Sequence, residues 1–401
     1  DWRVWDRFSP ETVAEFTKRL SDWEERFDRL LVSEKDPDTQ AEISLYKKTA
    51  RTLREQLSDV RAWQTQATFY LTIVCIGLAE AIEDEDPGAK HERAGTIAKY
   101  LDIVSHNMTG VPLLFLDIGL QMVADTRNYL AYLSQELTEL KPAFDALERF
   151  NERPAAFPIR KDFLLPRELL DRIFRFHLSC DMGIDEVEYT LDEEIRETEA
   201  TLEREAGRLS DRTGQVPEAR RKWPDVLQEI PIPALGEDGI VGFYRDEVER
   251  LAAHCLKEGW VSKDFVDSCP VRVAPTPPSL SAIRAASSYS IPPKHPPTGG
   301  VFYVINTNVS DEAYRENYRE YRMLCAHETY PGHHLLDASR WSMENLYLRT
   351  IEQPLFYEGW ACFSEKLMKL TGYYTDPADS LLLAKRRLWH AVRGKVDIGL
   401  Q

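Results

Sequence analysis

Val13, Phe16, Leu20, Trp23, Phe27 and Leu30 recur at spacings of three and four. Only a helix carries such positions on one side, because 3.6 residues complete a turn. Ser9 and Pro10 stand just ahead, as an N-cap and an N1 proline would. The same period covers roughly 40–63, 65–83, 92–104, 117–139 and 165–179. The stretch DEVEYTLDEEIRETEATLEREAGRL, 185–209, reads as a long helix with an acidic solvated face. A mainly α chain follows. Breaks fall at EDEDPGAKHE, at NERPAAFPIRKD and at the Pro/Ser/Gly-rich stretch VAPTPPSLSAIRAASSYSIPPKHPPTGG. After that stretch, GVFYVINTN reads as a strand, with VRVAP as a second short candidate. Helices resume with DEAYRENYREYRMLCAHETY, QPLFYEGWACFSEKLMKLTG and PADSLLLAKRRLWHAVRGKVDIG. These divisions predict an N-terminal helical lobe over 1–150, a helical scaffold over 151–269 and a third region over 270–401.

Composition narrows the function. The 401 residues carry a net charge of −17 and no block of six basic residues, which argues against a nucleic-acid partner. The longest apolar run, FYLTIVCIGLA (69–79), falls short of the roughly 20 residues a membrane span needs, so it reads as a buried helix and no transmembrane segment is expected. The six cysteines lie far apart, with no CxxC pair, and fit free thiols. No signal sequence opens the chain. Since it begins with Asp1, a start further upstream is expected, and location is left between a soluble cytoplasmic and an exported protein.

The chemistry concentrates in CAHETYPGHHLL, 325–336, where three of the nine histidines fall within eight residues. Zinc takes about four ligands and keeps one position open when catalytic. His327, one of His333 and His334, and Glu358 in FYEGWACFSE supply three, and Glu328 is placed as general base. One Zn²⁺ per chain is expected. Glu365 is a rival to Glu358. In a continuous helix, residues seven apart sit about 10.5 Å apart along the axis, too far for one ion. Pro331 removes the N–H that would bond to residue 327, and Gly332 permits unusual backbone angles, so a bulge or break is expected after Tyr330. Two looped-out residues would deliver His333, and three would deliver His334. The other histidine is left for substrate or for an outer carboxylate such as Asp337. Arg393 has two readings, an intrahelical pair with Asp397 or a clamp on a substrate carboxylate. Tyr330, Tyr357, Tyr373 and Tyr374 are oxyanion candidates that more commonly serve as core residues. His390 reads as structural.

HETYPGHHLL resembles the HExxPGHH signature of the family catalogued as domain of unknown function 885, described as zinc metallopeptidase-like with a gluzincin-like helical fold. APTPPSLSAIRAASSYSIPP, GGVFYVINTN, FYEGWACFSEKLM and RGKVDIGLQ are similar to further segments of it. The resemblance spans about 270–401. It implies metal binding by His327, by His333 or His334, and by Glu358, with Glu328 as base and Arg393 near the site. Departures are Gln401 where the family has a histidine, and Leu336 where a glutamine is common. Family members continue beyond this point, so the third region is expected to be truncated.

The reading is therefore a gluzincin-like helical metallopeptidase architecture with a small β element lining the active-site cleft. GVFYVIN would line that cleft and offer its edge to an extended peptide. Arg393 and Tyr374 are the expected substrate contacts, and a peptide or small amide is the expected substrate. The rivals are hydrolysis of a non-peptide amide or ester, and a helical binding protein whose zinc is structural or vestigial.

Overall fold

The computed structural model describes residues 5–83, 86–155, 162–212, 222–277, 286–305 and 317–401. Helix α1 (Pro10–Ser33) starts as its sequence predicts: the Ser9 side chain accepts from the Thr12 N–H and Pro10 occupies the first turn. Asp36 and Pro37 start α2 (Pro37–Glu55) the same way, by a bond to the Thr39 N–H. The two helices pack together, with Arg54 paired to Glu24 and Lys47 to Asp28. The apolar face of α1 is only partly covered, since Phe16, Trp23 and Leu30 are each about half exposed. The helical period over 40–63 is interrupted. A π-type turn at Gln56–Val60 leads to Arg61 in the left-handed region, and a short helix restarts at Ala62.

Residues 1–177 form one compact unit, and 178–276 with 286–401 form another. The region read as one scaffold, 151–269, is thus divided at 177/178. The core of the first unit is built by α3 (Ala67–Glu83), α4 (Ala89–Val104), α5 (Leu113–Leu133) and α6 (Lys141–Ala155). The apolar run on α3 is its centre: Tyr70, Leu71, Val74, Cys75 and Leu78 are fully buried. Each such aliphatic side chain contributes about 1.5–3 kcal/mol. The Tyr70 hydroxyl accepts from Asn107 Nδ2 at 3.0 Å, so the buried polar group is satisfied.

In the second unit, α7 (Ile184–Arg212) lies along α12 (Pro377–Leu400). Lys395 bonds to Glu188 and Asp192, and Arg387 to Glu194. Helix α8 (Gly239–Lys257) covers strands β1 (Val271–Pro275) and β3 (Gly300–Val304) and packs on α9 (Tyr321–Glu328). Helices α10 (His333–Trp341) and α11 (Pro354–Leu370) complete the surroundings of the candidate site. Arg322 on α9 is held between the buried carboxylates of Glu247 and Asp379, which gives those charges a partner.

The sheet has the order β1-β3-β2, with β1 parallel and β2 (Ser288–Ser290) antiparallel to β3. This corrects the expected role of GVFYVIN. Both sides of Gly300–Val304 are taken by neighbouring strands, so β3 has no edge to offer a peptide. The edge near the candidate site is β2, which lies within the stretch read as irregular. Residues 306–316, and with them the end of the GVFYVINTN strand and the start of the DEAYRENY helix, lie outside the described residues. Tyr321–Glu328 is helical as expected. Among the described residues no single helix is long and apolar enough to cross a membrane.

Candidate metal centre

The helix carrying His327 ends one residue later, at Glu328. Thr329 has φ −121° and ψ −104°, the Tyr330–Pro331 bond is cis, and a new helix starts at His333. The expected bulge is thus a full break, and it comes before Tyr330 rather than after it. Gly332 is required there by space. A Cβ at this position would overlap the carbonyl oxygens of Ala326 and His327, so the returning backbone passes where only glycine fits. The Trp360 indole donates to the Pro331 carbonyl at 2.8 Å and ties the break to α11.

The break folds the second histidine back over the first. The rings of His327 and His333 are 4.8 Å apart and nearly perpendicular. Glu358 Oε2 lies 3.5 Å from His327 Nε2 and 3.7 Å from His333 Nε2. Two ligands about 2.1 Å from a tetrahedral ion lie about 3.4 Å apart, so two imidazoles and one carboxylate here fit a zinc-sized cation. Both histidine side chains are nearly covered, whereas that of Glu358 is 63% exposed, so the centre is reached from solvent on that side.

His334 is directed elsewhere. Its Nε2 donates to the Cys269 carbonyl at 3.0 Å, and its Nδ1 accepts from the Tyr289 hydroxyl at 2.8 Å. Both ring nitrogens are consumed, so neither a cation nor Asp337 engages this ring. Asp337 instead accepts from the Tyr357 hydroxyl at 2.9 Å and pairs with Arg340. The Tyr357 ring stacks on His333, with centroids 4.1 Å apart, and so fixes that ring's plane.

Glu365, the sequence rival to Glu358, lies at the other ring nitrogen of His327. It accepts from His327 Nδ1 at 2.9 Å and takes two bonds of 2.8 Å from Arg386. A carboxylate on the far nitrogen of a ligating imidazole fixes its tautomer and raises its basicity. Burial alone would raise the pKa of Glu365, but Arg386, then His327, hold it down to about 2. Burial also works against charge on His327, yet Cys362, Glu358 and Glu365 outweigh it and raise the ring to about 11. His333 is pushed down to about 4 by burial and then by the His327 charge, and it keeps its lone pair. With no cation beside it, His327 holds a proton, and that proton must leave when a metal binds.

Glu328 is nearly buried and does not share the point defined by His327, His333 and Glu358. Its Oε2 accepts from the Tyr289 backbone N–H at 2.9 Å. Burial raises its pKa to about 7, against the pull of His327 and the Tyr289 N–H. Arg393 is exposed, with its guanidinium 5.5 Å above the Trp389 ring, and forms no ion pair with Asp397 among the described residues. The Tyr374 hydroxyl donates to the Arg322 carbonyl, and that of Tyr373 to Glu247, so both are committed within the unit's core.

Sequence reasoning had no role for Cys362, Arg386 or Tyr289. Cys362 and Glu365 follow Glu358 at spacings of four and three, one face of α11. That pattern was available. The parts played by Tyr289 and Arg386 depend on tertiary contacts that no local spacing encodes.

The fold and site describe a mainly helical protein with a two-histidine, one-glutamate cluster at a helix break. The chain belongs to the family described as "Bacterial protein of unknown function (DUF885)", whose model matches residues 39–401. No curated protein matches it. Among solved structures it is similar to "a putative lipoprotein of unknown function from Shewanella oneidensis", with a TM-score of 0.73 and 15% identity over 99% of this chain and 77% of that one. It is also similar to "the putative lipoprotein from Colwellia psychrerythraea", with a TM-score of 0.68 and 14% identity over 100% and 77%. At these identities the likeness is one of fold.

Proposed function

We propose that the chain is a zinc-dependent hydrolase, with peptide bonds as the leading substrate and Glu328 as general base. The observation that carries this reading is the convergence of His327 Nε2, His333 Nε2 and Glu358 Oε2 within 4.8 Å of one another, with a separate buried carboxylate, Glu328, next to His327 in the chain. A zinc ion held there would supply Lewis acidity and a bound water with a pKa near 7. The chain's own groups do the rest. Glu365 holds the proton on His327 Nδ1 and leaves Nε2 free to ligate. Tyr357 keeps the His333 plane. The Tyr289 N–H anchors one oxygen of Glu328 and leaves Oε1 to take a proton and pass it to a leaving amine. Burial, which pushes this carboxyl above its ordinary range, helps it to hold the proton it takes until the leaving amine receives it.

The same arrangement serves a non-peptide amide or ester, and substrate profiling separates the two. A structural zinc is supported less well, because such sites close with four protein ligands and His334 has both nitrogens engaged elsewhere. The name lipoprotein, carried by the solved relatives, supports a location at the bacterial envelope, which fractionation of the producing cells would check. The test of function is Glu328→Gln with metal analysis and a peptide-library digest. The expected result is unchanged zinc content with hydrolysis reduced at least about 100-fold, the lower range for general-base loss. Zinc lost from that variant would make Glu328 a ligand, and undiminished hydrolysis would remove it from the reaction.

A further inference from the structure

His334 is the fully buried member of the histidine pair, and the point shared by His327, His333 and Glu358 does not use it. Packing and hydrogen bonds together hold its ring. The Tyr330 ring stands edge-on to it with centroids 4.8 Å apart, and the Phe265 ring lies 5.9 Å away. The Cys269 carbonyl, just ahead of β1, can only accept, so the ring proton is on Nε2. Nδ1 then carries the lone pair that the Tyr289 hydroxyl meets. Burial holds that phenol well above its ordinary pKa, so it keeps the proton it donates. Tyr289 is the middle residue of β2, a three-residue strand paired to β3 on one side only. So short a pairing supplies little constraint of its own. The Tyr289 ring lies against Gly300 on β3, where a Cβ would overlap the hydroxyl and two ring carbons. The backbone N–H of the same tyrosine donates to Glu328 Oε2 at 2.9 Å. One residue thus joins His334 at its side-chain end to Glu328 at its backbone.

We infer that His334 is a positioning residue for Glu328, acting through Tyr289. The two adjacent histidines divide the work: His333 faces the cation point, and His334 sets the carboxyl beside it. The effect on rate rests on the reading of Glu328 as general base, whereas the placement of Glu328 does not. With Oε2 held by the Tyr289 N–H, Oε1 is the oxygen left to move a proton, and a displacement of about 1 Å in such a group costs up to about 100-fold in rate. His334 touches neither the cation point nor the reacting atoms, so its loss leaves the metal ligands in place.

Tyr289→Phe in the whole zinc-loaded chain tests this, because it deletes the hydroxyl and keeps the ring, the strand and the backbone N–H. On the best substrate from a peptide-library digest, kcat is expected to fall about 10–100-fold with little change in KM. Zinc content should match the parent. His334→Phe should do the same, and the double variant should be no slower than the slower single one, since both cut one link. His334→Asn puts an amide oxygen where Nδ1 stands and should recover most of the rate. His334→Gln puts an amide nitrogen where Nε2 stands, keeps only the bond to Cys269, and should not. Hydrogen–deuterium exchange gives a readout that needs no activity: peptides spanning Ser288–Ser290 should exchange at least about tenfold faster in Tyr289→Phe. Unchanged exchange or, in an active parent, unchanged kcat in that variant overturns the proposal. Recovery by Gln but not by Asn overturns it too, as does a zinc loss in His334→Phe equal to that of His333→Ala. If the zinc-loaded parent hydrolyses nothing while exchange still rises, the hydrolase reading fails and the placement of Glu328 through Tyr289 stands.

Discussion

Each unit buries a histidine against a glutamate, and the two pairs behave differently. In the first unit, His177 Nε2 donates to Glu55 at 3.0 Å, and Nδ1 accepts from Gln56 Nε2 at 3.0 Å. Arg51, Arg54 and Arg172 all lie within 4 Å of that carboxylate. Every ring nitrogen and every charge has a protein partner. In the second unit, His327 donates one nitrogen to Glu365 and turns the other toward a point shared with His333 and Glu358. The first set is closed, and the second is open at one point. A buried His–Glu contact therefore marks no metal site by itself. What marks one is a nitrogen left facing other donors, with the carboxylate on the far side.

The largest expected effect breaks this comparison if it fails. His327→Ala and Glu358→Ala should each weaken zinc binding by orders of magnitude, because each removes one of three ligands, whereas His177→Ala should leave zinc content unchanged. The closed set should show its loss in stability instead. Removing the ring strips one hydrogen bond from the buried Glu55 carboxylate, at a cost of about 1–3 kcal/mol in urea denaturation. Equal zinc affinity in all three variants would erase the distinction.

Next in size is Gly332→Ala. The added methyl meets the Ala326 and His327 carbonyl oxygens, which belong to backbone and cannot swing away. The break must shift and carry His333 with it. A loss of about 2–4 kcal/mol is expected, in the range of a severe steric substitution, together with weaker zinc binding. Pro331→Ala relieves no such overlap and should cost less. A Gly332→Ala variant with parental stability and zinc affinity would show that the return path has slack.

The carboxylates around the open set also predict pH behaviour. Glu365 titrates near 2 in the folded chain, below its ordinary 4.5, chiefly because Arg386 and His327 outweigh burial. A depressed carboxylate pKa contributes stability that is complete above the unfolded value and is lost as pH falls from about 4.5 toward 2. The shift corresponds to roughly 3 kcal/mol. In acid unfolding of the metal-free chain followed by circular dichroism, Glu365→Gln should flatten that limb. The burial-raised Glu328 should not steepen it. An unchanged acid limb in Glu365→Gln would mean that Arg386 does not hold the carboxylate ionised.

Much of this was legible in the sequence for physical reasons. The apolar period on 67–83 and the caps at Ser9 and Asp36 are local signals, and they specify their helices locally. Pro331-Gly332 forbids a continuous helix, so a break beside His327 followed from covalent structure alone. The choice between His333 and His334 did not. It is made by the Tyr289 hydroxyl, 45 residues before His334, and by the Cys269 carbonyl, 65 before it. The placement of β3 was hidden likewise, because its neighbour β2 is three residues of Ser-Tyr-Ser beside prolines, with no alternating apolar pattern to announce it.

The smallest expected effect concerns Arg393, which sequence reasoning offered as a substrate clamp. Its guanidinium lies over the half-exposed Trp389 ring, an arrangement worth about 0.5–1 kcal/mol at an exposed position. Among the described residues it forms no ion pair, and it belongs to neither group of possible metal ligands. Arg393→Ala should therefore change stability by no more than about 1 kcal/mol and leave zinc content untouched. Arg386→Ala, about two turns earlier on α12, should do the opposite. It leaves Glu365 buried with only His327 for support, a loss of about 3–5 kcal/mol for breaking a buried pair, and it should weaken zinc binding through His327. The contrast between two arginines seven residues apart sharpens the one between the closed and open sets, since position in sequence is nearly the same and only the partners differ. If Arg393→Ala raised KM for a substrate bearing a carboxylate while Arg386→Ala left zinc affinity intact, the assignment of the two would have to be exchanged.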